Sequence, residues 1–205
     1  MKRSGNSVFK LGITGGIGSG KTSVCRVFNI LGIPVFSADS EAREIMEKEN
    51  GVIRRINSIT GMDLYSGGSL NRKELATLIF NNHMLLEKVN SLVHPIVIDH
   101  FRRWEKEQRS PYVIMEAAIL FESGASKFVD KVAVIIAPLE ERLERVILRS
   151  NLTKEQVLER TRNQMNDEER VKLSDYVISN SENDMIIPEI LKIHKDIILT
   201  INSGK

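Results

Sequence analysis

The chain is predicted to be an α/β protein, a parallel sheet with helices layered on both faces, on three observations. The run Gly15-Gly16-Ile17-Gly18-Ser19-Gly20-Lys21-Thr22 fits the phosphate-binding pattern G-x-x-x-x-G-K-[ST] at each fixed position. It lies between a short apolar strand at 8–14 and a segment in which Val24, Val27, Phe28 and Leu31 recur at helical spacing. Residues 131–137 are nearly all Val, Ile and Ala, the pattern of a strand buried on both sides of a parallel sheet.

Each part of the loop has a physical reason. Glycines let the backbone turn with its N–H groups inward, where they and the positive end of the next helix bind phosphate oxygens. Lys21 reaches the outer phosphates of a nucleotide, and the Thr22 hydroxyl ligates Mg²⁺. Four glycines, the Lys-Thr pair and these flanks disfavour an ordinary glycine-rich turn.

The bulk composition narrows the class. At 205 residues the chain is long enough for one domain with insertions, and 41% hydrophobic with 27% charged residues is ordinary for a soluble globular protein. With 29 basic and 27 acidic residues the net charge is +2, too balanced for a nucleic-acid binder and compatible with a small anionic ligand. Cys25 is the single cysteine, which excludes an internal disulfide framework and a zinc cluster. No apolar run approaches a membrane span and residues 1–7 lack the apolar core of a signal peptide, so a cytoplasmic location is expected. No long exposed apolar patch is evident, and a monomer is expected.

Along the chain, 33–36 reads as a second strand ending at Ser37-Ala38-Asp39. Asp39 has two readings. It caps a helix over 42–49, or it stands at a strand end beside the loop and accepts a proton from an attacking hydroxyl or helps to hold a metal. The segment 51–69 is rich in Asn, Ser and Gly, and the chain then turns helical after Asn71 and Glu74, which resemble a capping box. Leu75, Leu78, Ile79, Leu85, Leu86, Val89 and Leu92 supply an apolar face, so 51–94 reads as an inserted helical subdomain. His94-Pro95 ends it, with Pro95 opening a helix to about residue 108.

A third strand over 111–115 ends in Glu116, placed either as a Walker-B-like acid on the Mg²⁺ shell or as a solvated strand-end acid. Glu122 closes an apolar stretch and caps a turn. Pro138 begins a helix carrying Arg142, Arg145 and Arg149, and a capped helix starts at Thr153 with Gln156 at the reciprocal position, followed by Arg160, Arg162 and Gln164. Arg145 and Arg149 are one turn apart, so both can address one polyphosphate from a mobile lid; the alternative is a solvated face paired with Glu140, Glu141 and Glu144. A fifth strand at 176–179 and a helix to about 199 complete the chain. A guanine-reading N-K-x-D tetrad is absent, which argues against a GTP-driven switch.

The ordered set of motifs resembles the dephospho-CoA kinase family over nearly the whole chain. It comprises G-I-T-G-G-I-G-S-G-K-T, Ala38-Asp39, L-N-R-x-x-L-x-x-x-I-F from Leu70, His94-Pro95, I-L-F-E ending at Glu122, the arginine helix to Arg149, Gln164, and S-D-Y-V-I-S-N ending at Asn180. The family often has a second acid where this chain has Ser37, proline where it has Ala118, and Asp where it has Ser150.

The resemblance implies a three-layer P-loop kinase fold with an inserted helical CoA-binding subdomain and a helical lid. Its parts would be a core at 1–50, 95–137 and 170–205, the insertion at 51–94 and the lid at 138–169. It implies transfer of the ATP γ-phosphoryl group to the ribose 3′-hydroxyl of dephospho-CoA, the final step of coenzyme A synthesis. Gly16, Ile17, Gly18, Ser19, Gly20, Lys21 and Thr22 would hold ATP, with Asn180 near the adenine and Thr22 and Glu116 at Mg²⁺. Asp39 would act as base with Lys21, Arg145 and Arg149 as catalytic cations. Asp39, Arg72, His94 and Glu122 would bind the acceptor, with no nucleic acid or membrane involved.

Overall fold

The structure, a computed structural model, describes residues 8–80, 82–150, 153–162 and 164–204. Residues 1–7, residues 151–152 and the side chains of Arg160 and Arg162 lie outside the described residues.

The strands are β1 (Phe9–Gly15), β2 (Val35–Ser37), β3 (Tyr112–Glu116), β4 (Lys131–Ile136) and β5 (Tyr176–Ser179). The helices are α1 (Lys21–Ile30), α2 (Ala38–Lys48), α3 (Asn50–Thr60), α4 (Arg72–Phe80), α5 (His83–Glu107), α6 (Leu139–Arg149), α7 (Lys154–Arg162), α8 (Asp167–Leu173) and α9 (Ile186–Ser203). The strands form one parallel sheet in the order β2-β3-β1-β4-β5, the α/β architecture expected from the motif and the doubly apolar strands. The chain divides into two compact units, one built from the chain up to Ser37 with the chain from Trp104 onward, the other Ala38–Arg103.

In the sheet unit, alternation along the strands builds a core on one face. Phe9, Leu11 and Ile13 of β1, Tyr112 and Ile114 of β3, and Ala133 and Ile135 of β4 meet Val24, Cys25 and Phe28 of α1 and Ile190, Ile193 and Ile197 of α9. Right-handed crossovers put the connections from β3 to β4 and from β4 to β5 on the opposite face, since they run the other way along the sheet from β1 to β2. On that face Leu120 and Val129 pack against Gly12, where a Cβ would overlap Leu120. The connections leave β1 and β3 in opposite directions, so the crevice at their carboxyl ends is where such sheets place ligands.

The unit Ala38–Arg103 is helical. Here the structure corrects three expectations. The helical character does not wait until after Ser69, because within the Asn-, Ser- and Gly-rich segment α3 occupies Asn50–Thr60, burying Val52 and Ile56 at helical spacing and stopping at left-handed Gly61. Pro95 does not open a helix but sits inside the 25-residue α5. It leaves the Ser91 carbonyl without its N–H donor, yet Val89, Val93, Val97 and Phe101 keep one buried stripe through it, so packing outweighs the lost bond. Asp39 does not precede its helix, because α2 starts at Ala38 and Asp39 lies in its first turn.

Both capping predictions meet a match in the structure. The Asn71 Oδ1 accepts from the Glu74 N–H at 3.2 Å, with Glu74 accepting in return from the Asn71 side-chain amide rather than its backbone. Thr153 and Gln156 make the full reciprocal pair, at 3.0 and 3.3 Å.

Two outcomes follow from the sheet core. Phe28 is fully buried and edge-on to Tyr112, with ring centroids 6.4 Å apart, so Phe28→Ala should cost about 3–5 kcal/mol and lower the urea midpoint accordingly. Burial, and then the nearby Glu116 charge, push the Cys25 thiol from its ordinary 9.0 up to about 12, with Lys21 partly offsetting. The native thiol therefore keeps its proton where the unfolded one loses it. Stability should fall with pH between about 9 and about 12, by up to about 1.4 kcal/mol per pH unit from this group. Urea titrations across that window should show the excess slope in the native sequence and its loss in Cys25→Ala.

Candidate functional site

The loop between β1 and α1 is closed by its own backbone: the Ser19 N–H donates to the Gly16 carbonyl at 3.1 Å, and the Ser23 N–H to the Gly20 carbonyl at 2.9 Å. Gly20, at φ 98°, is the N-cap of α1 and makes no side-chain cap, and the first turn carries no acid. The positive end of α1 is thus open to an anion. Lys21 Nζ donates to the carbonyls of Gly15 at 2.8 Å and Gly16 at 3.4 Å, which holds the ammonium at the rim of the loop. Ser19 is fully buried, and its Oγ has no partner among the described residues.

Glu116 ends β3 in register with Ile13, two residues before Gly15, and accepts from Ser37 Oγ at 2.9 Å. Thr22 is exposed on the first turn of α1. A hydroxyl and a carboxylate are hard oxygen donors that fit Mg²⁺. Among the described residues no group of three or more His, Cys, Asp or Glu is arranged for a metal, so such an ion would complete its shell with phosphate oxygens and water.

The helices after β4 close on the loop. Leu143 and Val146 of α6 and Val157 of α7 form a small core on which Ile17 of the loop packs. The Ile17 N–H donates to Gln164 Oε1 at 3.1 Å. Gln164 was expected on the second lid helix but lies beyond its end at Arg162. Asn180, just past β5, donates from Nδ2 to the Ser19 carbonyl at 2.7 Å, so its side chain holds the loop.

Arg145 and Arg149 differ in their surroundings although they are one turn apart. Arg145 donates to the Asn180 carbonyl at 2.9 Å and to Glu141 at 2.8 Å, which fixes it to the same residue that holds Ser19. Arg149, at the last position of α6, is exposed and pairs with no described residue. Glu122 does more than cap a turn: its Oε1 accepts from the Met165 N–H at 2.9 Å and from Arg170 at 3.2 Å.

In the helical unit, Asp39 is half-buried in the first turn of α2, two residues after β2 ends. Arg72 starts α4 and pairs with Glu47 at 3.4 Å. His94 is half-buried in α5, and burial lowers its pKa, so near neutral pH its imidazole is uncharged and acts as a hydrogen-bonding group. His100 in the same helix binds Glu41 at 2.6 Å and Glu49 at 3.3 Å, joining α5 to α2 and to the cap of α3.

Sequence reasoning did not single out Arg142, Asp167 and Arg170, and it missed α8 altogether. Arg142 is 4% exposed and Arg170 is 1% exposed. The signal for Arg142 was its place on the apolar face of α6 beside Leu143 and Val146, a position that a solvated arginine avoids. The signal for α8 was Asn166 three residues before Glu169, whose N–H it caps at 2.8 Å.

Comparison with known proteins gives the family and the fold. The family model CoaE, dephospho-CoA kinase, matches residues 9–185. A dephospho-CoA kinase of Bacteroides fragilis is 39% identical over 185 residues, 90% of each chain. One from Fusobacterium nucleatum is 35% identical over 86% of this chain and 92% of its own. The crystal structure of TT1252 from Thermus thermophilus superposes with a TM-score of 0.81 at 32% identity, covering 95% of this chain and 98% of that one. A dephospho-CoA kinase from Campylobacter jejuni gives a TM-score of 0.65 at 26% identity, over 92% and 96%. Motif, fold and relatives coincide, and the chain belongs to the dephospho-CoA kinase family.

Proposed function

We propose that this chain transfers the γ-phosphoryl group of ATP to the ribose 3′-hydroxyl of dephospho-CoA, giving coenzyme A and ADP. The observation that carries it is the open, glycine-built α1 terminus with Lys21 at its rim, in a chain matched to the family from residue 9 to residue 185.

Loop residues 16–22 hold the ATP phosphates through backbone N–H groups, and Lys21 neutralises the outer oxygens. Thr22 and Glu116 would hold Mg²⁺, which would screen the phosphate charge. Asp39 orients the acceptor hydroxyl and takes its proton. Arg145 and Arg149 offset charge on the transferred group, and 138–169 closes as a lid that excludes water. Arg72, His94 and Glu122 recognise the acceptor, with 51–94 as the acceptor-binding insertion, and Asn180 lies near the adenine. The protein acts as a cytoplasmic monomer; among the described residues no helix is long and apolar enough to cross a membrane.

The test is ADP release by the purified chain with ATP-Mg and a panel of dephospho-CoA, AMP, CMP and shikimate. Release with dephospho-CoA alone is expected, and none above the blank sinks the reading. Asp39→Asn should leave ATP affinity nearly intact and lower kcat at least about a hundredfold, whereas near-normal turnover would reduce Asp39 to a helix-end acid. Arg149→Ala should lower kcat more than it raises the KM for either substrate. An unchanged kcat would leave this arginine a surface residue.

A further inference from the structure

Two buried arginines and two carboxylates run in a chain away from the phosphate loop. Arg142 donates from Nη1 to Asp167 Oδ2 at 2.7 Å. The other Asp167 oxygen accepts from Arg170 at 3.2 Å, and Arg170 reaches Glu122 at 3.2 Å. At its loop end the whole Arg142 fork faces Gly16: a Cβ built there would overlap Nη1 and come within 2.9 Å of Cζ and 3.2 Å of Nη2. The Arg142 carbonyl lies as close to Gly18, whose φ is 78°. The loop is therefore gripped at two points by one residue.

The composition of this chain sets it apart from an ordinary ion pair. Arg142 is 4% exposed, its Nε has no partner among the described residues, and one carboxylate oxygen holds its position. A buried guanidinium that lacks part of its hydrogen bonding is costly to keep, and packing a hydrophobic residue there would be the simpler solution. What an arginine adds is a planar group of fixed orientation against a glycine surface. Loop N–H groups bind phosphate only when aligned together, so whatever fixes Gly16 and Gly18 sets the affinity for the nucleotide.

We propose that Arg142 and Asp167 are positioning residues for ATP: Asp167 orients the buried guanidinium, and Arg142 holds Gly16 and Gly18 in the phosphate-binding shape. The clamp rests on the reading of the loop as the ATP site and is independent of which acceptor is used. It acts on the donor side before chemistry, through the loop backbone.

The experiment is ATP-Mg binding by calorimetry to the full chain and to Arg142→Gln, Asp167→Asn and the double variant, with folding checked by circular dichroism. Each single variant should weaken ATP about tenfold, and the double variant no further than the worse single, because both changes break one clamp. The Kd for dephospho-CoA should stay within about twofold, which a general loss of structure would not allow. If Arg142→Gln does not fold, Asp167→Asn, whose side chain is 33% exposed, carries the test. ATP affinity within about twofold of wild type, additive losses, or equal losses for both substrates would overturn the clamp. Wild-type ADP release is measured in parallel: its failure with dephospho-CoA overturns the acceptor reading, while ATP affinity still decides the clamp.

Discussion

At three glycines the phosphate loop has no room for a side chain, and neighbouring elements approach it there. A Cβ at Gly16 would strike the Arg142 guanidinium, one at Gly18 the Arg142 carbonyl, and one at Gly20 the Asn180 amide. Three bare backbone positions thus let α6 and the end of β5 approach the loop directly. Asn180 and Arg142 hold its two halves from different elements, and Arg145 ties those elements together through the Asn180 carbonyl. The sheet places β4 between β1 and β5, with the loop after β1 and Asn180 after β5, so the parallel sheet is what lines these contacts up.

Charge is managed around the loop by the same geometry. Three described cations beside it are each tethered by an oxygen: Lys21 by Gly15 and Gly16, Arg145 by Asn180 and Glu141, Arg142 by Asp167. Tethering limits their rotamer freedom before a ligand arrives, so less entropy is lost when phosphate binds. Arg149 lies outside this scheme, exposed at the end of α6. In the proposed lid, a cation with no described partner could reorient on closure, which would separate its role from that of Arg145 although both are on one helix.

The order of elements was legible because its signals are local. The loop motif, the apolar strand at 131–137 and the capping pair Thr153 with Gln156 each act within a few residues, and the structure has all three. What misled were positions decided by packing at a distance. Pro95 reads as a helix start by its own chemistry, yet the stripe from Val89 to Phe101 carries one helix through it. The composition of the 51–69 segment, rich in Asn, Ser and Gly, does not signal a helix, yet α3 forms there with Val52 and Ile56 buried on one face. Arg142 and Arg170 were not singled out, since the partners that hold them buried, Asp167 for Arg142 and Glu122 for Arg170, are 25 and 48 residues away in the chain.

Phosphoryl transfer explains why the donor half is built this way. Its transition state is loose and needs little covalent help, so rate comes from alignment and from cations fixed where charge spreads over the transferred oxygens. Backbone N–H groups and tethered side chains supply alignment, and they carry no information about the acceptor. A loop that reads only phosphates would serve any hydroxyl. Selectivity for one acceptor must therefore arise from other side chains, and the proposal above gives that task to Asp39 in a first helical turn, Arg72 at a helix start and the half-buried His94. In the proposed acceptor role a neutral imidazole would discriminate by a directed hydrogen bond, whereas a second cation would attract phosphate-bearing acceptors with little regard to their shape. The burial that lowers the His94 pKa would then favour selection by geometry over selection by charge.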